Sequence, residues 1–138
     1  MKYLGLDIGD KRIGIAISYS GIMASGVETY NRISLTRDTE YLLAMIRDNG
    51  IDTVVAGLPR HLNGDEHVQA EKNELIVNAL RENGVTVDYF DERLTSQAAE
   101  RAMLEADLSR KKRKENIDKL AAVIILQNYL DKKNGGTF

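Results

Sequence analysis

The chain has 138 residues, 43% of them hydrophobic and 29% charged, with a mean hydropathy of −0.33. A length of this order fits one domain of about 100–200 residues, and the apolar content excludes an intrinsically disordered chain, which could not build a core. Nineteen Lys and Arg stand against 21 Asp and Glu, a net charge of −2, so any attraction to nucleic acid has to come from local basic patches rather than a global field.

The longest apolar run, Leu120 to Leu126, is far shorter than the roughly 20 residues of a membrane-spanning helix, and Met1 to Leu4 leads straight into a strand pattern. Neither a signal peptide nor an anchor is expected. The absence of cysteine rules out disulfide scaffolds, thiolate metal sites and cysteine nucleophiles, and the cytoplasm is the expected compartment.

Residues 3–8 and 13–18 read as a hairpin of two strands. Leu4, Leu6 and Ile8 alternate with Tyr3, Gly5 and Asp7, and Ile13, Ile15 and Ile17 alternate with Gly14, Ala16 and Ser18 across the link Gly9 to Arg12. A third strand is expected over 24–30, where Val27, Thr29 and Tyr30 favour extended backbone. Leu42, Leu43, Met45 and Ile46 at helical spacing predict a helix over 36–49, stopped by Asn49-Gly50.

Residues 51–58 then read as a buried strand closed by Pro59, the chain's one proline. A loop, Arg60 to Gly64, leads to a helix over 66–83 with Val68, Leu75, Ile76, Ala79 and Leu80 on one face and Asn83-Gly84 as its cap. A fifth strand is expected over 85–90 and a third helix from about 94 to 105, capped by Thr95 or Ser96. A basic, apolar-poor segment from 106 to 115 separates it from a last helix over 116–132.

This order predicts a three-layer α/β domain over 1–133, followed by a flexible tail, 134–138. Its mixed five-stranded sheet combines a three-strand antiparallel meander with two parallel strands, because helix-to-strand crossovers demand parallel pairing.

Three acids carry chemical interest. Asp7 lies near the carboxyl end of an apolar strand, where open α/β sheets place their ligand crevices; the alternative is a solvent-facing residue or a cap of the Gly9-Asp10 turn. Glycines at 5, 9 and 14 weaken these strands, and close approach by a ligand or a packed element is a reason to tolerate them. Asp118 shares a helical stripe with Ala121, Ala122 and Ile125. An acid on a buried stripe needs a hydrogen-bond partner, a cation or a metal; otherwise it serves the helix dipole in a first turn. Glu92 follows the fifth strand directly, with Asp91 as a rival for its role and an ion pair with Arg93 as the plainer reading.

Acids from separate elements can together hold hard divalent cations, and Mg²⁺ or Mn²⁺ in such a two-metal site supports phosphodiester hydrolysis. His61 and His67 lie in or beside one loop, which gives no Ser-His-Asp arrangement. The cations Lys11, Arg12, Arg60 and Arg93, with the run Arg110, Lys111, Lys112, Arg113 and Lys114, fit a phosphate polymer, although a charge run is equally a solvated loop.

Four segments in register, Asp7 to Ala16, Gly57-Leu58-Pro59 with Asn63-Gly64, Asp91 to Ser96, and Asp118 to Ala122 with Ile125 to Gln127 and Tyr129-Leu130, resemble the YqgF/RuvX family. The resemblance spans essentially the whole chain; Arg60-His61-Leu62 departs from it, where many relatives carry methionine. It implies a ribonuclease-H-like fold and a metal-dependent nuclease, described either as maturing the 5′ end of pre-16S ribosomal RNA or as resolving Holliday junctions. The family's acids fall on Asp7, Glu92 and Asp118. The implied partners are structured RNA or branched DNA and a ribosomal particle, for a monomer or a homodimer. Two other readings remain: a binding factor in ribosome assembly or transcription whose acids are not catalytic, and a phosphate-binding hairpin of the actin and sugar-kinase kind, for which 138 residues leave too little room.

Overall fold

Both faces of the central strand are covered, and this decides the layering. The computed structural model describes the backbone of residues 1–58, 64–91 and 110–135, and the side chains of residues 1–57, 73–90 and 119–135. Five strands, β1 (Tyr3–Ile8), β2 (Arg12–Ser18), β3 (Ser25–Asn31), β4 (Thr53–Leu58) and β5 (Val87–Asp91), form one sheet in the order β3-β2-β1-β4-β5. The first three pair antiparallel, while β4 joins β1, and β5 joins β4, in parallel. This is the expected mixed sheet.

Helices α1 (Leu35–Asn49) and α2 (Gly64–Glu82) cover one face and α3 (Arg110–Lys133) the other. Leu4, Leu6, Ile13, Ile15, Val54 and Ala56 pack against Leu42, Ile76, Val77 and Leu80 on the first side. On the second, Tyr3, Ala16, Val55 and Phe90 meet Ala122, Ile125, Leu126 and Leu130. The period-two alternation of each strand thus sorts its side chains between two apolar layers.

Helix ends follow local chemistry. Ser34 caps α1 by accepting from Arg37 N at 3.2 Å. At the other end Gly50 adopts φ 62°, ψ 40°, Gly50 N donates to Arg47 O and Ile51 N to Ile46 O, a Schellman closure. Gly84 and Val85 close α2 in the same way, through Arg81 O and Leu80 O. Ile51 and Val85, expected in strands, are therefore spent on the caps, and β4 and β5 begin two residues later than expected.

Two further expectations are corrected. Leu75 is 54% exposed, because the buried stripe of α2 runs through Asn73, Ile76, Val77 and Leu80. The basic run 110–114 and Glu115 are the start of α3 rather than a separating segment; Lys, Arg and Glu are good helix formers and do not end a helix. The helix expected over 94–105 lies outside the described residues.

Candidate active site

Because β1, β4 and β5 are mutually parallel, their carboxyl ends stand along one edge of the sheet, the place where such sheets form crevices. Asp7, partly buried, is the penultimate residue of β1 and lies opposite Gly14 of β2. It shares the α3 face of the strand with Tyr3 and Gly5. At the neighbouring strand ends Leu58 pairs with Asp91, the residue before Glu92.

Helix α3 packs tightly on this face. A Cβ built on Gly5 would stand 2.7 Å from Leu126 Cβ and 3.1 Å from the Ala122 carbonyl, so only glycine admits the helix here. The Tyr129 ring lies 5.9 Å from that of Tyr3, and its hydroxyl donates to Asp88 Oδ2 at 2.7 Å. Burial and this bond push the Tyr129 phenol well above its usual range. Asp118 lies on α3 one turn before Ala122.

The β1–β2 turn carries Lys11 and leads into Arg12, the first residue of β2, both exposed. Gly9 N donates to Arg12 O at 2.8 Å, and a Cβ on Gly9 would meet that same oxygen at 2.8 Å. A cleft of about 300 Å³ is lined by Gly9, Asp10, Lys11 and Arg12. Another of about 310 Å³ borders Asp10 and Lys11 on the side of α1 and includes Arg32, Ile33, Asp38 and Leu75.

Beneath the turn lies a polar cluster that the sequence did not disclose. Asp38, with no exposed surface, accepts from Arg32 Nε at 3.0 Å, Tyr30 OH at 3.0 Å and Ile33 N at 2.9 Å. Burial would raise its carboxyl, but the bonds from Ile33 N, Arg32 and Tyr30 outweigh burial and hold its pKa below the ordinary 3.8. Arg32 Nη1 in turn donates to Gly9 O at 2.9 Å, and Arg32 N to Lys11 O at 2.9 Å.

Of the expected site residues, Asp7 lies near the end of β1, and Lys11 and Arg12 follow it in the chain, lining a cleft that does not include Asp7. Arg110 to Lys114, expected as a loop, form the beginning of α3. Glu92, Arg60 and Arg93 lie outside the described residues, as do the side chains of Arg110 to Lys114 and Asp118. Among the described residues no three acidic or histidine side chains gather where a metal ion could sit, and no helix is long and apolar enough to cross a membrane.

A mixed five-stranded sheet between helical layers is the ribonuclease-H-like α/β fold. Two solved structures share it. "T. thermophilus RuvC in complex with Holliday junction substrate" matches at TM-score 0.69 and 16% identity, covering 98% of this chain and 97% of that one. The fowlpox virus Holliday junction resolvase matches at TM-score 0.60 and 13% identity, covering 96% and 99%. At these identities the likeness is one of fold.

A family model described as "RuvX: Holliday junction resolvase" matches residues 1–132, and the chain belongs to that family. A relative from Clostridioides difficile (strain 630), named "Putative pre-16S rRNA nuclease", is 48% identical over 134 residues, covering 96% of this chain and 95% of the relative. One of the same name from Heliobacterium modesticaldum is 44% identical over 135 residues, covering 96% and 91%. The protein is a nuclease, of a fold whose nucleases generally use divalent metal ions.

Proposed function

We propose that the protein is a Mg²⁺- or Mn²⁺-dependent endonuclease that cleaves structured RNA at the 5′ end of pre-16S rRNA, with Asp7, Glu92 and Asp118 as the metal-holding acids. The observation that carries this reading is the packing of α3 on β1. Going up the helix from Tyr129 to Ala122 goes along β1 from Tyr3 to Gly5, so the next turn of helix leads toward Asp7. The step from Ala122 back to Asp118 rises about 6 Å, and that from Gly5 to Asp7 about 6.7 Å. A hard-cation site needs just such carboxylates from separate elements, and β5 ends one residue before Glu92.

Metal ions held there would supply an activated water and charge neutralisation at the leaving oxygen. The chain itself supplies position. Asp7 is fixed by a strand paired on both sides, and Lys11 and Arg12 offer cations to the phosphates flanking the cut. Arg60 and Arg93 lie close in sequence to the ends of β4 and β5 and serve the same purpose. Arg110, Lys111, Lys112, Arg113 and Lys114, in the first turns of α3, are assigned the same role, and there the helix dipole adds positive potential. Cations oppose that dipole, and a polyanion relieves the conflict.

Two relatives 44% and 48% identical bear an rRNA nuclease name, which favours RNA as the substrate; association with a ribosomal precursor particle follows from it. The family description favours a four-way DNA junction instead, and paired incisions in a two-fold symmetric junction would call for a homodimer, where RNA cleavage can be the work of a monomer. Cleavage of labelled pre-16S fragments and of a four-way junction, each with Mg²⁺, Mn²⁺ or EDTA, tests the reading. Metal-dependent cutting of the RNA alone is expected; cutting of the junction alone would transfer the function to recombination. Salt-sensitive binding with no cleavage would make the protein a binding factor in ribosome assembly or transcription.

A further inference from the structure

We infer that Arg32, on the strand-to-helix link below the β1–β2 turn, is a positioning residue for phosphate binding: it holds the backbone that presents Lys11 and Arg12. This rests on the phosphate role proposed above for those two cations.

Three observations carry it. The Arg32 side chain is only 15% exposed, and its guanidinium is fixed on one side by the fully buried Asp38. Its other arm is aimed at the turn: Nη1 reaches Gly9 O at 2.9 Å while the main-chain N of Arg32 reaches Lys11 O at 2.9 Å. Gly9 N closes on Arg12 O at 2.8 Å, so Arg32 holds both the opening residue and the middle of a turn whose polar tips, Asp10, Lys11 and Arg12, are exposed. Asp38 is itself locked by Tyr30 and Ile33, giving the arginine a rigid base. A planar fork can bridge a carboxylate and a carbonyl at once, which an ammonium cannot. Arg32 therefore acts on nucleic acid through the turn, and not as a free charge.

The test is a binding cycle with the full chain and a labelled pre-16S RNA fragment in EDTA, read as the slope of log affinity against log salt. Lys11→Ala with Arg12→Ala should lower the slope by about 0.7–0.9 for each phosphate that is no longer neutralised. Arg32→Met should reproduce part or all of that change, and should add nothing when combined with the Lys11/Arg12 pair, because residues acting as a unit are not additive. Arg32→Lys should behave like Arg32→Met, since the charge is kept and the fork is removed. Arg47→Met, which removes a charge from a 75% exposed side chain at the far end of α1, is the control and should keep the wild-type slope. If Arg32→Met melts below the assay temperature, Arg32→Lys carries the same cycle.

Additive effects, or full rescue by lysine, would mean that Arg32 touches nucleic acid directly and would overturn the proposal. A folded Arg32→Met protein with the wild-type slope would overturn it as well. If the Lys11/Arg12 pair can be removed without changing the slope, the phosphate role of the turn fails, and the role of Arg32 falls with it.

Discussion

Replacing Gly5 by alanine adds one methyl group where β1 and α3 touch. That Cβ would stand 2.7 Å from Leu126 Cβ and 3.1 Å from the Ala122 carbonyl, whereas apolar carbons rest at about 3.5–4.0 Å. The obstruction is a side-chain root and a backbone oxygen, neither of which can rotate away. Strand and helix have to part by about 1 Å, and overpacking of this kind costs about 1–3 kcal/mol. Each kcal/mol should lower the midpoint by about 2–8 °C for a domain of this size range. On the proposed site geometry, the same displacement would carry Asp118 of α3 away from Asp7. Since a misplacement of about 1 Å can cost on the order of 10²-fold in rate, cleavage should fall far more than the loss of folded protein explains. Thermal melts paired with single-turnover cleavage at a temperature where the variant is folded would measure both. A Gly5→Ala protein with wild-type melting and wild-type cleavage would refute the close approach of α3 and the site geometry built on it.

Two other substitutions test the supporting structure. Asp38→Asn leaves Arg32 without its carboxylate and should destabilise by roughly 3 kcal/mol at neutral pH, the order found when a buried pair loses one partner. The folded-state pKa of Asp38 lies below its ordinary 3.8, so the wild-type advantage is complete above that value and is lost as pH falls through the folded pKa; urea melts down the acid limb should show the two proteins converging, and a gap that widened in acid would contradict the assignment. Ser34→Ala removes the acceptor for Arg37 N and should cost about 1 kcal/mol, with Ser34→Asp restoring most of it in the same melts.

Much of the fold was legible because its signals are local. Alternation in residues 3–8 and 13–18 marked the central hairpin, and the glycines at 50 and 84 marked helix ends that adopt positive φ. Gly5 was readable as a site of close approach by a packed element, which is α3, whereas Gly9 is crowded by the turn's own Arg12 carbonyl rather than by a ligand or a packed element. Boundaries failed where a residue serves two elements: Ile51 and Val85 look like strand residues, yet their amides close the preceding helices. Leu75 misled because burial on α2 follows the stripe facing the sheet, and an exposed leucine beside it leaves the same mark in a sequence. Arg32 and Asp38 were not singled out in the sequence at all. Only the folding of β3 against α1 and the turn joins them, and no spacing rule registers such a meeting. Asp7 stood out because an acid in an apolar strand is anomalous on local grounds alone.

The central claim is tested most directly by cleavage of the pre-16S fragment with wild-type, Asp7→Asn, Glu92→Gln and Asp118→Asn proteins, each shown by melting to be folded, in Mg²⁺ and in Mn²⁺. The account predicts that every variant binds the RNA and none cuts it, while the wild type loses cleavage in EDTA. Undiminished cleavage by folded Asp7→Asn protein would contradict it.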